Sequence, residues 1–163
     1  MRIGLTLLGL VAIAVYAVAG ALLMNDWAIV AASHLPLSES LEAMSAADQP
    51  HSFFAGIIFA VMGGACATAW AVLTLLPRVG LPAWASLALW AAILVLGAPA
   101  YFIFSFGNMM SVGDTFYDWD SDAAFALERP LYLISLVALA VCAAALLAPV
   151  LRHVVRRKPA SAT

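Results

Sequence analysis

The sequence predicts an all-α integral membrane protein whose four helices form a bundle. Hydrophobic residues make up 66% of the 163 residues and charged residues 10%, whereas soluble domains contain about 50% and about 25%. A soluble domain of this size exposes too much surface to hide so many apolar side chains. All nine acidic residues lie in two stretches of the chain, and six of the seven basic residues lie outside them. Four charge-free runs separate these groups, which indicates that lipid surrounds the chain.

The four charge-free runs have the length of membrane-spanning helices. At ~1.5 Å per residue, each run is long enough to cross a hydrocarbon core of about 30 Å. The first run also resembles a signal peptide, with a small-residue cleavage sequence before Gly20, but its apolar stretch continues to Met24 and we expect it to be retained. Residues 77–82 alone separate runs two and three, which predicts antiparallel neighbours. The predicted spans are residues 3–24, 52–76, 83–106 and 131–151, within one domain of residues 1–163.

The basic residues predict that both termini lie in the cytoplasm. Arg2, Arg78 and the tail of residues 152–163 fall on one side of a four-span path, and Lys and Arg residues near helix ends stay cytoplasmic. The Ala-rich spans, short loops and small size favour a bacterial inner membrane. Basic side chains next to a membrane are attracted to anionic lipid headgroups. The predicted membrane-anchoring residues are therefore Arg152, Arg156, Arg157 and Lys158.

The outer loop of residues 25–51 is predicted to contain a short helix that lies along the membrane interface. Ser38 opens the segment SESLEAM and is expected to cap this helix, because its hydroxyl can accept a hydrogen bond from a backbone N–H. Leu37, Leu41 and Met44 fall on one face of the helix. This apolar edge favours contact with lipid or with the bundle.

The outer loop of residues 107–129 combines aromatic and acidic side chains and is predicted to bind a protein partner. Aromatic residues are favoured anchors in protein interfaces. Asp122 is also expected to cap a short helix that runs to Glu128 and leads into the fourth span. The predicted partner-binding residues are Phe116, Tyr117, Asp118, Trp119, Asp120 and Asp122.

His34 and His51 are candidate metal ligands on the predicted outer side. Imidazole groups with nearby carboxylates and thioethers suit copper or zinc, but no compact ligand spacing is present. An EF-hand calcium loop starting at Asp118 requires Gly at its sixth position and Glu at its twelfth, where the chain has Ala123 and Arg129. A looser calcium site in this loop stays open, and no motif indicates a cofactor.

The four predicted spans contain no Asp, Glu, Lys, Arg or His. Such residues inside a membrane usually mark ion or proton pathways, or haem ligands, so their absence argues against a charge-coupled transporter, a proton pump and a b-type haem protein. In run three, Gly97 and Pro99 predict a bend beside a small pocket. Run two carries small residues at intervals of four, which let helix backbones approach closely. The predicted helix-packing residues are Gly56, Ala60, Gly64 and Thr68.

These observations leave three functions open. The preferred one is a non-catalytic accessory or structural subunit of a larger membrane protein complex, which the charge-free spans, the small-residue helix faces and the acidic–aromatic loop favour. The second is a binding or transport module for a lipid, a quinone or another apolar molecule, built on the bend in run three. The third is a metal-handling membrane protein that uses His34, His51 and the acidic residues of the outer face. Membrane lipid and other membrane protein subunits are the expected partners, and nucleic acid is not.

Overall fold

The computed structural model describes residues 2–156, which form helices and short connections with no β-strand in that range. In chain order the elements are α1 (Arg2–Leu22), a π-helix (Leu23–Trp27), α2 (Ala28–Ser33), α3 (Leu37–Ala46), α4 (Phe53–Leu75), α5 (Ala83–Thr115) and α6 (Ser121–Arg156). Four helical segments are long and apolar enough to cross a membrane: Arg2–Ser33, Phe53–Leu75, Ala83–Thr115 and Ser121–His153. The predicted all-helical fold with four candidate membrane spans is confirmed.

Three of the four long helical segments extend further than the charge-free runs, whereas α4 lies within its run. The first span continues through the π-helix and α2 to Ser33, and α5 continues to Thr115. Because α6 begins at Ser121, only residues 116–120 of the predicted loop 107–129 are non-helical. Polar residues can continue a helix beyond its apolar part, since the backbone hydrogen bonds remain internal to the helix. The charge-free runs therefore mark the apolar part of each helix and not its ends.

Two helix starts differ from the predicted ones. α3 begins directly after Pro36, and Ser38 lies inside its first turn, so no side chain caps this helix. The fixed backbone angle of proline suits the position before a helix start. At α6, the Oδ1 atom of Asp120 accepts a hydrogen bond from the N–H of Ala123 at 2.8 Å. Asp120 therefore caps α6 in place of the predicted Asp122.

α3 packs on the end of the bundle through its apolar face. Met44 is 0% exposed, and Leu37 and Leu41 are half-buried against the same cluster. The hydroxyl groups of Ser33 and Ser40 lie 2.7 Å apart and join α2 to α3. The buried residues of this cluster are Ala28, Ile29, Ala32, Met44, Val112 and Ala124.

The long helices pack mainly as two pairs. α1 lies along α4 and α5 lies along α6, while α4 and α5 contact each other over a smaller length. Buried side chains from all four helices meet in one core. Its centre is aromatic, with the ring of Phe59 6.4 Å from that of Tyr16 and 6.1 Å from that of Tyr101.

Charged side chains lie at opposite ends of this bundle. We call the end that holds Arg2, Arg78 and Arg152 the basic end; there, Arg2 donates a hydrogen bond to the carbonyl of Leu81 at 3.0 Å. We call the end that holds α3 and residues 116–120 the acidic end. A four-span path brings each group together because every second connection lies on the same side.

Candidate functional site

Residues 116–120 form the tip of the acidic end, and neighbouring elements hold their backbone in place. The N–H of Asp120 donates to the carbonyl of Ala32 at 2.8 Å. The Oδ2 atom of Asp120 lies 3.4 Å from Nε2 of His34, which ends α2 in the left-handed conformation with φ of 58°. Phe116 packs against the core cluster beneath the tip. Of the six predicted partner-binding residues, Phe116 and Asp120 thus fix the tip to the rest of the chain.

The other four predicted partner-binding residues are exposed. Tyr117 is 99% exposed and Trp119 is 37% exposed. Asp118 and Asp122 are exposed beside them. Because the backbone of the tip is held at both sides, these aromatic and acidic side chains project from defined positions.

A buried asparagine joins three elements near the acidic end. Asn108 of α5 is 4% exposed. Its Nδ2 donates to the carbonyls of Met24 at 3.0 Å and of Ser52 at 3.2 Å, and its Oδ1 accepts from the N–H of Ser52 at 3.0 Å. Met24 lies in the π-helix and Ser52 precedes α4, so neither residue has the full set of backbone hydrogen bonds that a regular α-helix provides. One side chain therefore satisfies backbone groups from two other elements.

A buried carboxyl group lies in the first turns of α6. Glu128 is 9% exposed, and its Oε1 accepts a hydrogen bond from Oη of the fully buried Tyr101 at 2.8 Å. The ring of Tyr132 lies 6.0 Å from that of Tyr101. Carboxyl groups are rarely buried unless they are paired. The sequence placed Glu128 in the outer loop, and the early start of α6 brings it into the bundle instead.

A second buried polar contact follows on the same face of α6. The hydroxyl groups of Tyr16 and Ser135 lie 2.9 Å apart, and Ser135 donates to the carbonyl of Leu94 at 2.7 Å. Since the single hydroxyl hydrogen of Ser135 goes to Leu94, Tyr16 is the donor to Ser135. Hydroxyl groups thus join α1, α5 and α6 within the apolar parts of these helices.

Tyr101→Phe is expected to lower the free energy of unfolding by about 1–3 kcal/mol, because it leaves the buried carboxyl of Glu128 without its donor. Glu128→Gln in the same chain is expected to restore most of this loss, since a neutral amide costs less to bury than a carboxylate. Unfolding of the purified protein in mixed micelles, followed by circular dichroism during titration with SDS, measures both changes. Tyr117→Phe alters an exposed hydroxyl and is the control. Equal losses for Tyr101→Phe with and without Glu128→Gln would show that the two groups are not coupled.

The structure does not bring His34 and His51 together. His34 faces Asp120, whereas Nε2 of His51 is buried without a hydrogen-bond partner and its ring lies 4.3 Å from that of Phe53. Burial lowers the pKa of His51 below its usual value, which favours the neutral ring. Within residues 2–156, no group of three or more His, Cys, Asp or Glu side chains is placed to hold a metal ion.

The predicted helix-packing residues of α4 face two environments. Gly56 is buried, Ala60 and Gly64 are half-buried, and Thr68 is exposed with its hydroxyl bonded to the carbonyl of Gly64 at 2.8 Å. A Cβ atom on Gly64 would have no neighbour within 4 Å. With 3.6 residues per turn, positions at intervals of four rotate steadily around a helix. The buried face follows mixed spacings of three and four instead, through Gly56, Phe59, Ala67, Trp70, Ala71 and Thr74.

α5 continues as one helix through Pro99. Neither of the two cavities that we describe lies beside the predicted bend. Gly97 faces the ring of Tyr16 so closely that a Cβ atom would overlap it. Glycine permits this approach because it has no side chain. Cavities of about 860 Å³ and about 930 Å³ lie at the basic end instead.

The predicted membrane-anchoring residues lie at the end of α6 and beyond it. Arg152 is exposed at the basic end, where it lines the cavity of about 860 Å³. Arg156 is the last residue of α6. Arg157 and Lys158 lie outside the part of the chain that the structure describes.

No family model, curated protein or solved structure matches this chain. Its functional interpretation therefore depends on the geometry of the two ends. At the acidic end, exposed aromatic and acidic side chains on a fixed backbone have the chemistry to bind a protein surface. The buried Glu128 and Tyr101 lie beneath this surface, where they join α5 to α6.

Proposed function

We propose that this protein is a non-catalytic accessory or structural subunit of a larger membrane protein complex, and that the tip is its docking surface. The observation that carries the proposal is the exposure of Tyr117, at 99%, on a backbone that Ala32 and His34 hold in place. Tyrosine combines a large apolar ring with a polar hydroxyl and is enriched at interfaces. This ring finds no packing partner within residues 2–156, which supports a partner outside the chain.

The fixed backbone of the tip favours binding. Association is weakened when side chains and loops must first become ordered, and a preordered surface avoids much of that cost. Asp118 and Asp122 flank the exposed rings, so the partner surface is proposed to be basic. Complementary charge would speed the encounter and suppress wrong partners.

A second contact is proposed on α4. Gly64 and Thr68 are accessible and small, and such residues let two membrane helices approach closely. The partner subunit would then bind both the tip and a helix face. We propose a bacterial inner membrane as the location, with the basic end in the cytoplasm and lipid around the spans, as the Lys and Arg bias favours.

Tyr117→Ala is expected to reduce the recovery of the partner more than tenfold, because a central aromatic anchor contributes about 2 kcal/mol or more to binding. The protein is tagged, expressed at its native level, extracted in mild detergent, and analysed by size and by quantitative mass spectrometry. Asp118→Asn is expected to weaken association less and to reduce its dependence on salt, since it removes one charge near the rim.

Glu42→Gln is the matched control, because it removes an exposed acid of α3 at the same end of the bundle. Recovery of the partner by this variant should equal that of the wild type. Unchanged recovery with Tyr117→Ala would show that the tip is not the docking surface. A wild-type protein that is a monomer at its native level would contradict the subunit proposal as a whole.

A further inference from the structure

A groove of about 930 Å³ opens at the basic end between the first turns of α1 and the first turns of α5. Its lining is mainly apolar and includes Leu5 and Ala12 of α1, Trp70 of α4, and Leu87 and Trp90 of α5. Its volume lies within the range of about 300–1,000 Å³ that is usual for ligand sites. The groove lies at the opposite end from the tip and is independent of the docking proposal.

The polar groups in the wall of the groove are bonded within the protein. Nε1 of Trp70 donates to the carbonyl of Ser86 at 2.8 Å, and Nε1 of Trp90 donates to the carbonyl of Gly9 at 3.1 Å. The hydroxyl groups of Thr74 and Ser86 lie 2.7 Å apart. Because these groups are already satisfied, the wall offers mainly apolar contact to a ligand.

The mouth of the groove is positively charged. Arg2 lines it, and its Nη2 donates to the carbonyl of Leu81 at 3.0 Å, which holds the guanidinium at one end of the groove. None of the described residues that line the groove is acidic. A ligand that matches this site therefore has an anionic group at one end and an apolar chain behind it.

We propose that this groove binds one anionic phospholipid, with its phosphate at Arg2 and an acyl chain along α1 and α5. A guanidinium forms strong charge-assisted hydrogen bonds with phosphate oxygens. Basic pockets between membrane helices are suited to phosphate headgroups for the same reason. Arg2 directly precedes the apolar part of α1, so the charge lies where the apolar chain of a lipid would begin.

The test is native mass spectrometry of the delipidated full-length protein in mild detergent, titrated with phosphatidylglycerol or with phosphatidylcholine of the same acyl chains. The wild type is expected to bind one phosphatidylglycerol about fivefold more tightly than phosphatidylcholine, as one basic side chain near a headgroup predicts. Arg2→Gln is expected to remove this preference, since glutamine keeps a polar side chain but loses the charge.

Matched variants separate the groove from the surrounding surface. Arg78→Gln removes an exposed charge at the same end that does not line the groove, and the lipid preference should stay unchanged.

Ala12→Trp fills the groove and is expected to weaken binding of both lipids. Ala69→Trp places the same ring on an exposed position of α4 outside the groove and should have no effect. Ala83→Leu is a second filling variant, and only variants with the unfolding temperature of the wild type are compared.

Three results would overturn the proposal. Equal loss of preference in Arg2→Gln and Arg78→Gln would mean that the charged surface attracts lipid without a site. Unchanged binding in both Ala12→Trp and Ala83→Leu would place the lipid elsewhere. Equal affinity of the wild type for the two lipids would show that the groove does not select an anionic headgroup.

Discussion

Gly63→Ala is expected to lower the free energy of unfolding by about 1–3 kcal/mol, whereas Gly64→Ala is expected to leave it unchanged or raise it. A Cβ atom on Gly63 would overlap the Cβ of Ala17 on α1, while a Cβ on Gly64 would have no neighbour within 4 Å. The side chain of Ala17 cannot rotate away, so α1 and α4 would have to separate. At Gly64 the added methyl group only reduces the flexibility of the unfolded chain.

The two glycines are adjacent in one helix, which makes each the control for the other. Both substitutions add the same methyl group and remove the same helix-breaking tendency. Unfolding of each variant in mixed micelles, followed by circular dichroism during titration with SDS, measures the difference. Equal stability of the two variants would mean that α1 and α4 do not pack at Gly63.

Asn108→Leu is expected to lower the free energy of unfolding by about 2–4 kcal/mol, because it leaves three backbone groups without their partner, one of them the buried carbonyl of Met24. The affected groups are the carbonyl of Met24 and both the carbonyl and the N–H of Ser52. Leucine has a similar size but no polar atom, so the loss reports the hydrogen bonds more than the packing. The same titration with SDS provides the measurement.

Thr68→Ala is the control for Asn108→Leu. The hydroxyl of Thr68 is bonded within its own helix, to the carbonyl of Gly64, and the residue is exposed. Its removal should change the free energy of unfolding by less than about 0.5 kcal/mol. If Asn108→Leu were as mild as Thr68→Ala, the bonds from Asn108 would not hold the three elements together.

The fold could be predicted because a membrane leaves few alternatives. Backbone groups in lipid must be bonded within the chain, so apolar runs of this length form helices. Helix ends were harder to predict, because acidic residues before Thr115 and after Ser121 continue the helices beyond their apolar parts. Composition alone does not distinguish such an extension from a loop.

The candidate site was predictable in part. Aromatic and acidic composition identified the tip, but the role of Asp120 depends on Ala32 and His34, which are distant in sequence. The burial of Glu128 could have been predicted from the spacing of residues along α6, but its charge favoured an assignment to the loop. The buried residues in the first half of α6 follow helical spacings of three and four, namely Ala124, Glu128, Leu131, Ser135 and Ala138. Extending this face backwards from the fourth span would have placed Glu128 inside the bundle.

The π-helix also sets the rotational phase of the first span. Each residue of an α-helix advances by about 100°, and a π-helical turn contains an additional residue, so the chain after it is rotated relative to a continuous α-helix. Before the turn, Gly20 faces Phe59 of α4; after it, the carbonyl of Ala32 meets Asp120 at the tip. Both contacts therefore depend on the number of residues between Gly20 and Ala32 as well as on the polarity of those residues. The π-helical turn therefore determines which side chains of α1 and of α2 face the rest of the bundle.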